Sequence, residues 1–170
     1  MHKFFLFLFI VFIPFSVVNA QCLPDENSVC YYLMRHAEKL NDGTADPSLS
    51  PDGLKRSIHL SEILLDKGIT AIYSTPFNRT KETVMPLARE IGVDIEEYDF
   101  RKLNDHIEKW YESHKGQSIV IVGHSNTTPF LVNLVMGSDT LKQLNENAYG
   151  DLFILKSQSP GKAELSVSDF

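Results

Sequence analysis

Between residues 29 and 136 the chain alternates short β-rich runs with longer amphipathic ones, and no other feature narrows its fold as far. The run at 118–122, Ser-Ile-Val-Ile-Val, is apolar without alternation, as expected of a strand covered on both faces, and Gly123 closes it. Further strands are expected at 29–34, 70–73 and 93–98. Ser50-Pro51-Asp52 opens the first helix, with a cap residue followed by proline at the first helical position, and Gly68 ends it. Leu54, Ile58, Ile63 and Leu64-Leu65 form its expected apolar stripe. Helices are expected again over 78–90 and over 101–114, the latter carrying Leu103, Ile107 and Trp110. Strands that alternate with helices imply a mostly parallel sheet between two helical layers, a three-layer α/β/α sandwich. The tail breaks this rhythm: 150–156 and 163–168 are β-like runs joined by Ser-Pro-Gly, which predicts a closing C-terminal β-hairpin.

The first 20 of the 170 residues read as an export signal: Met1-His2-Lys3, a nearly unbroken apolar stretch from 4 to 15 with Pro14 inside it, then Val18-Asn19-Ala20 as the cleavage site. The apolar stretch is too short for a stable membrane anchor. Gln21 before Cys22 disfavours lipoprotein processing. Residues 21–170 then make one domain, large enough to bury a core of its own. Loss of Lys3 with the signal takes the net charge from −6 to −7, which disfavours nucleic acid as a partner. An exported chain gives Cys22 and Cys30 two readings, a disulfide that pins the mature tail to the first strand, or a buried Cys30 beside a free Cys22. Nothing in the pattern assigns an oligomeric state.

Open parallel sheets bind ligands at the carboxyl ends of their strands. At those ends stand Arg35-His36-Ala37-Glu38, Ser74-Thr75-Pro76-Phe77-Asn78-Arg79-Thr80, and Gly123-His124-Ser125-Asn126-Thr127. Two arginines and two histidines therefore emerge on one rim from three places in the chain. A guanidinium offers permanently charged, forked donors that match phosphate oxygens. A histidine adds a donor or, when neutral, a nucleophile. Fixed cationic donors stabilise the charge spread over a phosphoryl group in transfer, so the set suits phosphate chemistry.

These segments resemble the histidine phosphatase superfamily, also called phosphoglycerate-mutase-like. Arg35-His36-Ala37 is similar to its Arg-His-Gly signature, with alanine in third place. Residues 73–80 resemble its second arginine segment and 122–127 its second histidine segment, in the family's order. The resemblance implies that His36 is the phosphorylated nucleophile, that Arg35, Arg79 and His124 hold the phosphate, and that no metal or other cofactor is needed. Like charge on Arg35 and Arg79 should keep His36 neutral. The proton donor, by the same resemblance, comes from a carboxyl after the third strand. Asp99 is favoured because it lies past the strand end, ahead of Glu96 and Glu97, while Glu38 beside the nucleophile competes. Glu38 and Asn126 are also candidate substrate contacts, although Ser125, Asn126 and Thr80 are equally suited to capping helices.

Other features read as ordinary structure. His59, His106 and His114 are expected at surface or half-buried positions, Lys55-Arg56 and Lys102 on solvated faces, and no metal-binding cluster is apparent. Gly123-His124-Ser125-Asn126-Thr127 imitates a nucleophile elbow around Ser125, but the last glycine is missing and no histidine follows His124, so an esterase is rejected. The expected function is hydrolysis of a small phosphomonoester: a sugar phosphate, an envelope glycolipid phosphate or a nucleotide. The alternatives are a silent phosphate-binding module and a protein phosphohistidine phosphatase. A mutase is disfavoured by the short chain.

Overall fold

The computed structural model describes residues 22–170, so the expected signal segment and its cleavage point lie outside the described residues. Ten elements follow in order: β1 (Val29–Arg35), α1 (Pro51–Leu64), β2 (Ile69–Ser74), α2 (Asn78–Ile91), β3 (Ile95–Glu97), α3 (Leu103–Ser113), β4 (Ser118–Gly123), α4 (Thr127–Met136), β5 (Asp151–Ser159) and β6 (Lys162–Asp169). They build one six-stranded sheet in the order β3-β2-β4-β1-β5-β6. The first four strands are parallel, whereas β5 runs antiparallel to β1 and β6 antiparallel to β5. This is the expected three-layer α/β architecture with its C-terminal hairpin. No helix among the described residues is long and apolar enough to cross a membrane.

Strand alternation divides the core between the two faces. Cys30, Tyr32 and Met34 of β1 pack with Leu60 and Leu64 of α1 and Val84 and Leu87 of α2. Tyr31 and Leu33 face the other way, against Trp110 of α3 and Leu131 and Val135 of α4. Both faces of β1 and β4 are therefore dry, which is why their sequences are apolar runs without a polar face. Each such buried aliphatic side chain contributes roughly 1.5–3 kcal/mol.

Three expectations about local structure are corrected. α1 does not bury the stripe of Leu54, Ile58 and Leu65, which stay 49%, 55% and 43% exposed. It turns Gly53, Ser57, Leu60, Ser61 and Leu64 inward instead. The reason is steric: the backbone just after β1 runs under this helix, and a Cβ at position 53 would overlap the carbonyl oxygen of Glu38. Small residues permit that approach and larger ones do not. The third strand is also shorter than expected, because it lies at the sheet edge and pairs only with β2. Asp99 then accepts a hydrogen bond from the Arg101 backbone N–H (3.0 Å), and this turn delays α3 to Leu103.

Arg56 is not on a solvated face. Its Nε and Nη2 donate to the Glu38 carboxylate at 2.7–3.0 Å, and its Nη1 donates to the carbonyl oxygen of Phe170. The segment after β1, the first helix and the chain's last residue are thereby tied together.

Cys22 and Cys30 form a disulfide across 8 positions, joining the segment before β1 to the strand itself. A loop of that size corresponds to about 2.5 kcal/mol of chain-entropy stabilisation. Reduction, or a Cys22→Ser/Cys30→Ser double variant, is expected to lower unfolding stability by about that amount in denaturant titrations. An unchanged midpoint would remove the bond from the account of stability.

Candidate active site

Register brings the key residues together. Arg35 on β1 lies directly beside Gly123 on β4, so the next residue on each adjacent strand is a histidine. The His36 backbone N–H donates to the Gly123 carbonyl at 3.1 Å, and the two imidazole rings stand edge to face with centroids 5.5 Å apart. Arg79, in the first turn of α2, reaches across from the end of β2, its Nη2 3.5 Å from His124 Nδ1. Arg35, His36, Arg79 and His124 thus converge at the carboxyl end of the sheet.

His36 is 4% exposed. Its Nδ1–H donates to the Ala37 carbonyl at 2.7 Å, which fixes the tautomer and leaves Nε2 with a free lone pair. Burial first, then the positive fields of Arg35, His124 and Arg79, push its pKa down to about 3. The expected repulsion by arginine is present, but burial is the larger cause. Ala37, the departure from the glycine of the signature, meets no conformational obstacle, since no described residue other than glycine has positive φ. Its N–H donates to Thr83 Oγ1 at 2.9 Å.

His124 accepts at Nδ1 from Arg79, so Nε2–H donates to Thr75 Oγ1 at 3.0 Å. Burial and the two arginines hold its pKa near 4, so it too is neutral at ordinary pH. Phe77 and Phe100 pack their rings against it, at 5.1 and 6.3 Å between centroids. Arg79 lies over the Phe77 ring at 4.5 Å, and its Nη1 is 3.4 Å from Asp46 Oδ1. Among the described residues neither Arg35 Nε–H nor Arg79 Nε–H finds an acceptor, although both atoms are buried. Two buried cationic donors without partners are costly unless an anion meets them.

The remaining candidates lie elsewhere. Glu38, expected as a substrate contact or rival acid, is held by Arg56, which keeps its carboxyl below the usual range. Glu97 pairs with Lys81 at 2.9 Å, and Glu96 lies by Tyr73. Asp99 is half-buried beside Phe100 in a shallow cavity shared with Pro76 and Arg101, with no bond to the four central residues. Asn126 is exposed, and its side chain makes no capping hydrogen bond to α4. Thr127 Oγ1, at the first helical position, accepts from the His124 backbone N–H at 2.9 Å and so ties the histidine segment to the start of α4. Ser125 Oγ donates to Glu146 at 2.5 Å and has no histidine partner among the described residues, in agreement with rejecting an esterase. No group of three or more metal-ligating side chains occurs among the described residues.

Several residues at the site escaped the sequence reading. Glu146 and Tyr149 come from the loop 137–150, and Asp46 from the loop 40–49, where no periodicity announces a role. Arg35 Nη1 donates to the carbonyls of Asn145 and Ala148, both at 2.9 Å, its Nη2 donates to Glu146 Oε2 at 3.0 Å, and the Tyr149 ring lies 4.3 Å from its guanidinium carbon. The one available hint was the acidic and aromatic content of a loop that returns to the sheet.

The family model described as histidine phosphatase superfamily (branch 1) matches residues 31–100. No curated protein matches the chain. Among solved structures, the protein histidine phosphatase SixA complexed with tungstate is 15% identical, with a TM-score of 0.65 over 84% of this chain and 96% of that one. A mycobacterial glucosyl-3-phosphoglycerate phosphatase is 12% identical, with a TM-score of 0.65 over 84% and 98%. A phosphoglycerate mutase from Bacillus anthracis str. Sterne is 14% identical, with a TM-score of 0.63 over 85% and 94%. These structures share the fold. With most of β1, all of β2 and both arginine-bearing segments inside the matched region, residues 31–100 of this chain match the histidine phosphatase superfamily model.

Proposed function

We propose that this protein is an exported phosphatase that hydrolyses small phosphomonoesters through a phosphohistidine at His36. The observation that carries the reading is the state of that imidazole: buried, neutral, with its tautomer set by the Ala37 carbonyl, and flanked by two arginines whose Nε–H groups lack acceptors among the described residues. Neutral Nε2 attacks phosphorus, the N–P bond forms, and the P–O ester bond breaks in line with it. The departing oxygen takes a proton from Asp99. Of the carboxyls expected to serve as acid, Asp99 is half-buried at the loop beside Phe100 and has no cationic partner among the described residues. Water then attacks the phosphohistidine, gives its proton to the Asp99 carboxylate, and releases inorganic phosphate and neutral His36.

Arg35 and Arg79 bind the equatorial oxygens and supply the positive charge. His124 joins them by exchanging tautomers. The Thr75 hydroxyl can accept from Nε2–H or donate to bare Nε2, so Nδ1 can carry the proton that phosphate requires. The Cys22–Cys30 bond suits an oxidising compartment and supports the export reading. The substrate belongs to the phosphomonoesters of that compartment, with sugar phosphates, envelope glycolipid phosphates and nucleotides as the panel to assay.

The test is a rapid quench. Mixing the purified protein with a chromogenic phosphomonoester should trap an acid-labile, alkali-stable phosphoryl group on His36 within one turnover. Phosphate release should be indifferent to chelator. Tight phosphate binding without release at any pH would make the protein a silent binding module.

A further inference from the structure

The guanidinium of Arg35 has five N–H groups, and the loop 137–150 engages three of them, two at Nη1 through backbone carbonyls and one at Nη2 through Glu146. The Tyr149 ring covers one face of the same group and lies 6.2 Å from the His36 ring. Arg35 therefore cannot turn its outer fork toward a phosphoryl group. Its buried Nε edge is the side left open. Glu146 also reaches the other histidine segment, because its second oxygen accepts from Ser125 Oγ at 2.5 Å, and the Ser125 carbonyl accepts from the Leu144 N–H at 2.8 Å. One carboxylate thus joins the end of β1 to the start of α4.

We propose that Glu146 is a positioning residue of the phosphate site: it holds Arg35 so that the Nε edge, rather than the outer fork, meets the phosphoryl group, and it weakens the grip of Arg35 on free phosphate. The inference rests on the phosphatase reading above. Two features assign positioning rather than proton transfer. The carboxylate already accepts from three donors, Arg35 Nη2, Ser125 Oγ and Gln143 Nε2, and the Ser125 hydrogen bond together with Arg35 keeps its carboxyl in the ionised form. A resident anion beside Arg35 competes with phosphate in the ground state, while the fixed guanidinium geometry favours the charge distribution of transfer. An enzyme arranged in this way releases its product readily.

The test combines turnover with calorimetric titration of inorganic phosphate. Glu146→Ala frees Arg35 and is expected to lower kcat about tenfold or more, by loss of orientation. The same variant should bind phosphate about threefold more tightly, the scale expected for removing one partly exposed competing charge. Glu146→Gln keeps the shape but not the charge, so it should bind phosphate more tightly while kcat stays within about threefold of wild type. A purely structural role would weaken kcat, phosphate binding and the melting midpoint together in the alanine variant, and that pattern overturns the proposal, as does an unchanged alanine variant. If Glu146→Ala does not fold, unchanged or weaker phosphate binding by Glu146→Gln overturns it. A wild-type protein that binds phosphate but never turns over defeats the phosphatase reading alone, and the titrations of the two variants still decide the role of Glu146.

Discussion

His36→Ala is expected to reduce phosphomonoester turnover by about four orders of magnitude or more, the scale on which removal of a covalent nucleophile acts. The protein should remain folded and should still bind phosphate through Arg35, Arg79 and His124. Steady-state assays beside phosphate titration check both halves, and a variant retaining more than about a hundredth of wild-type turnover would assign the nucleophile elsewhere. The same variant carries a signature in stability. His36 has a pKa of about 3 in the folded chain and His124 about 4, against 6.5 when unperturbed. Below pH 6.5 the unfolded chain therefore binds protons that the folded chain refuses. Stability is complete above that pH and is lost as pH falls from about 6.5 toward the folded values. Removing His36 should flatten this slope by up to about 1.4 kcal/mol per pH unit, in urea titrations repeated between pH 7 and pH 4. Equal slopes would contradict a buried, neutral His36.

The second large effect is on folding. Gly53→Ala places a methyl group onto the Glu38 backbone carbonyl, which α1 approaches so closely that no side chain fits. Neither backbone can yield easily. Glu38 is held by Arg56, Arg56 is held by the carbonyl of Phe170, and the Ser50 backbone N–H donates to that same Glu38 carbonyl at 2.8 Å. The cost should be at or beyond the upper end of ordinary overpacking, about 3 kcal/mol or more. For a domain of this size that is a fall of about 6–12 °C in melting temperature. Calorimetry checks it directly. A fall of about a degree or less would mean that the helix shifts freely and the tie around Glu38 is weak. Since Glu38 directly follows His36-Ala37 in the chain, loss of turnover should accompany the loss of stability.

Much of this molecule was legible in one dimension because its strongest signals are local. An apolar run without alternation marks a strand dry on both faces, and β1 and β4 are such strands. Ser50-Pro51 marks a helix start, and Ser50 Oγ does accept from the Gly53 N–H, at 3.1 Å. A polar residue just past a buried parallel strand has the ligand-facing rim as its place, so Arg35, His36 and His124 were identifiable before any coordinates. The helix stripe of Leu54 and Ile58 was misread because hydrophobic periodicity ranks residues by apolarity, whereas α1 packs by smallness against a backbone that runs beneath it. Arg56 was misread because its partners are distant in the chain, at positions 38 and 170.

By itself the sequence determined the alternation of elements, the layered α/β class, the disulfide as one of two open readings, and the four side chains gathered around the proposed phosphate position. Each is written in residues adjacent in the chain or in an order that parallel strands must follow. Only the tertiary structure decided which nitrogen of His36 is free, how far the imidazoles are held from protonation, and which carboxylates reach the arginines. Those properties depend on distances between segments far apart in the chain, such as residues 35 and 146, and on how completely water is excluded between them. Neither a hydrogen bond across that separation nor a buried charge leaves a local pattern, because both come into being only when the loop closes over the sheet.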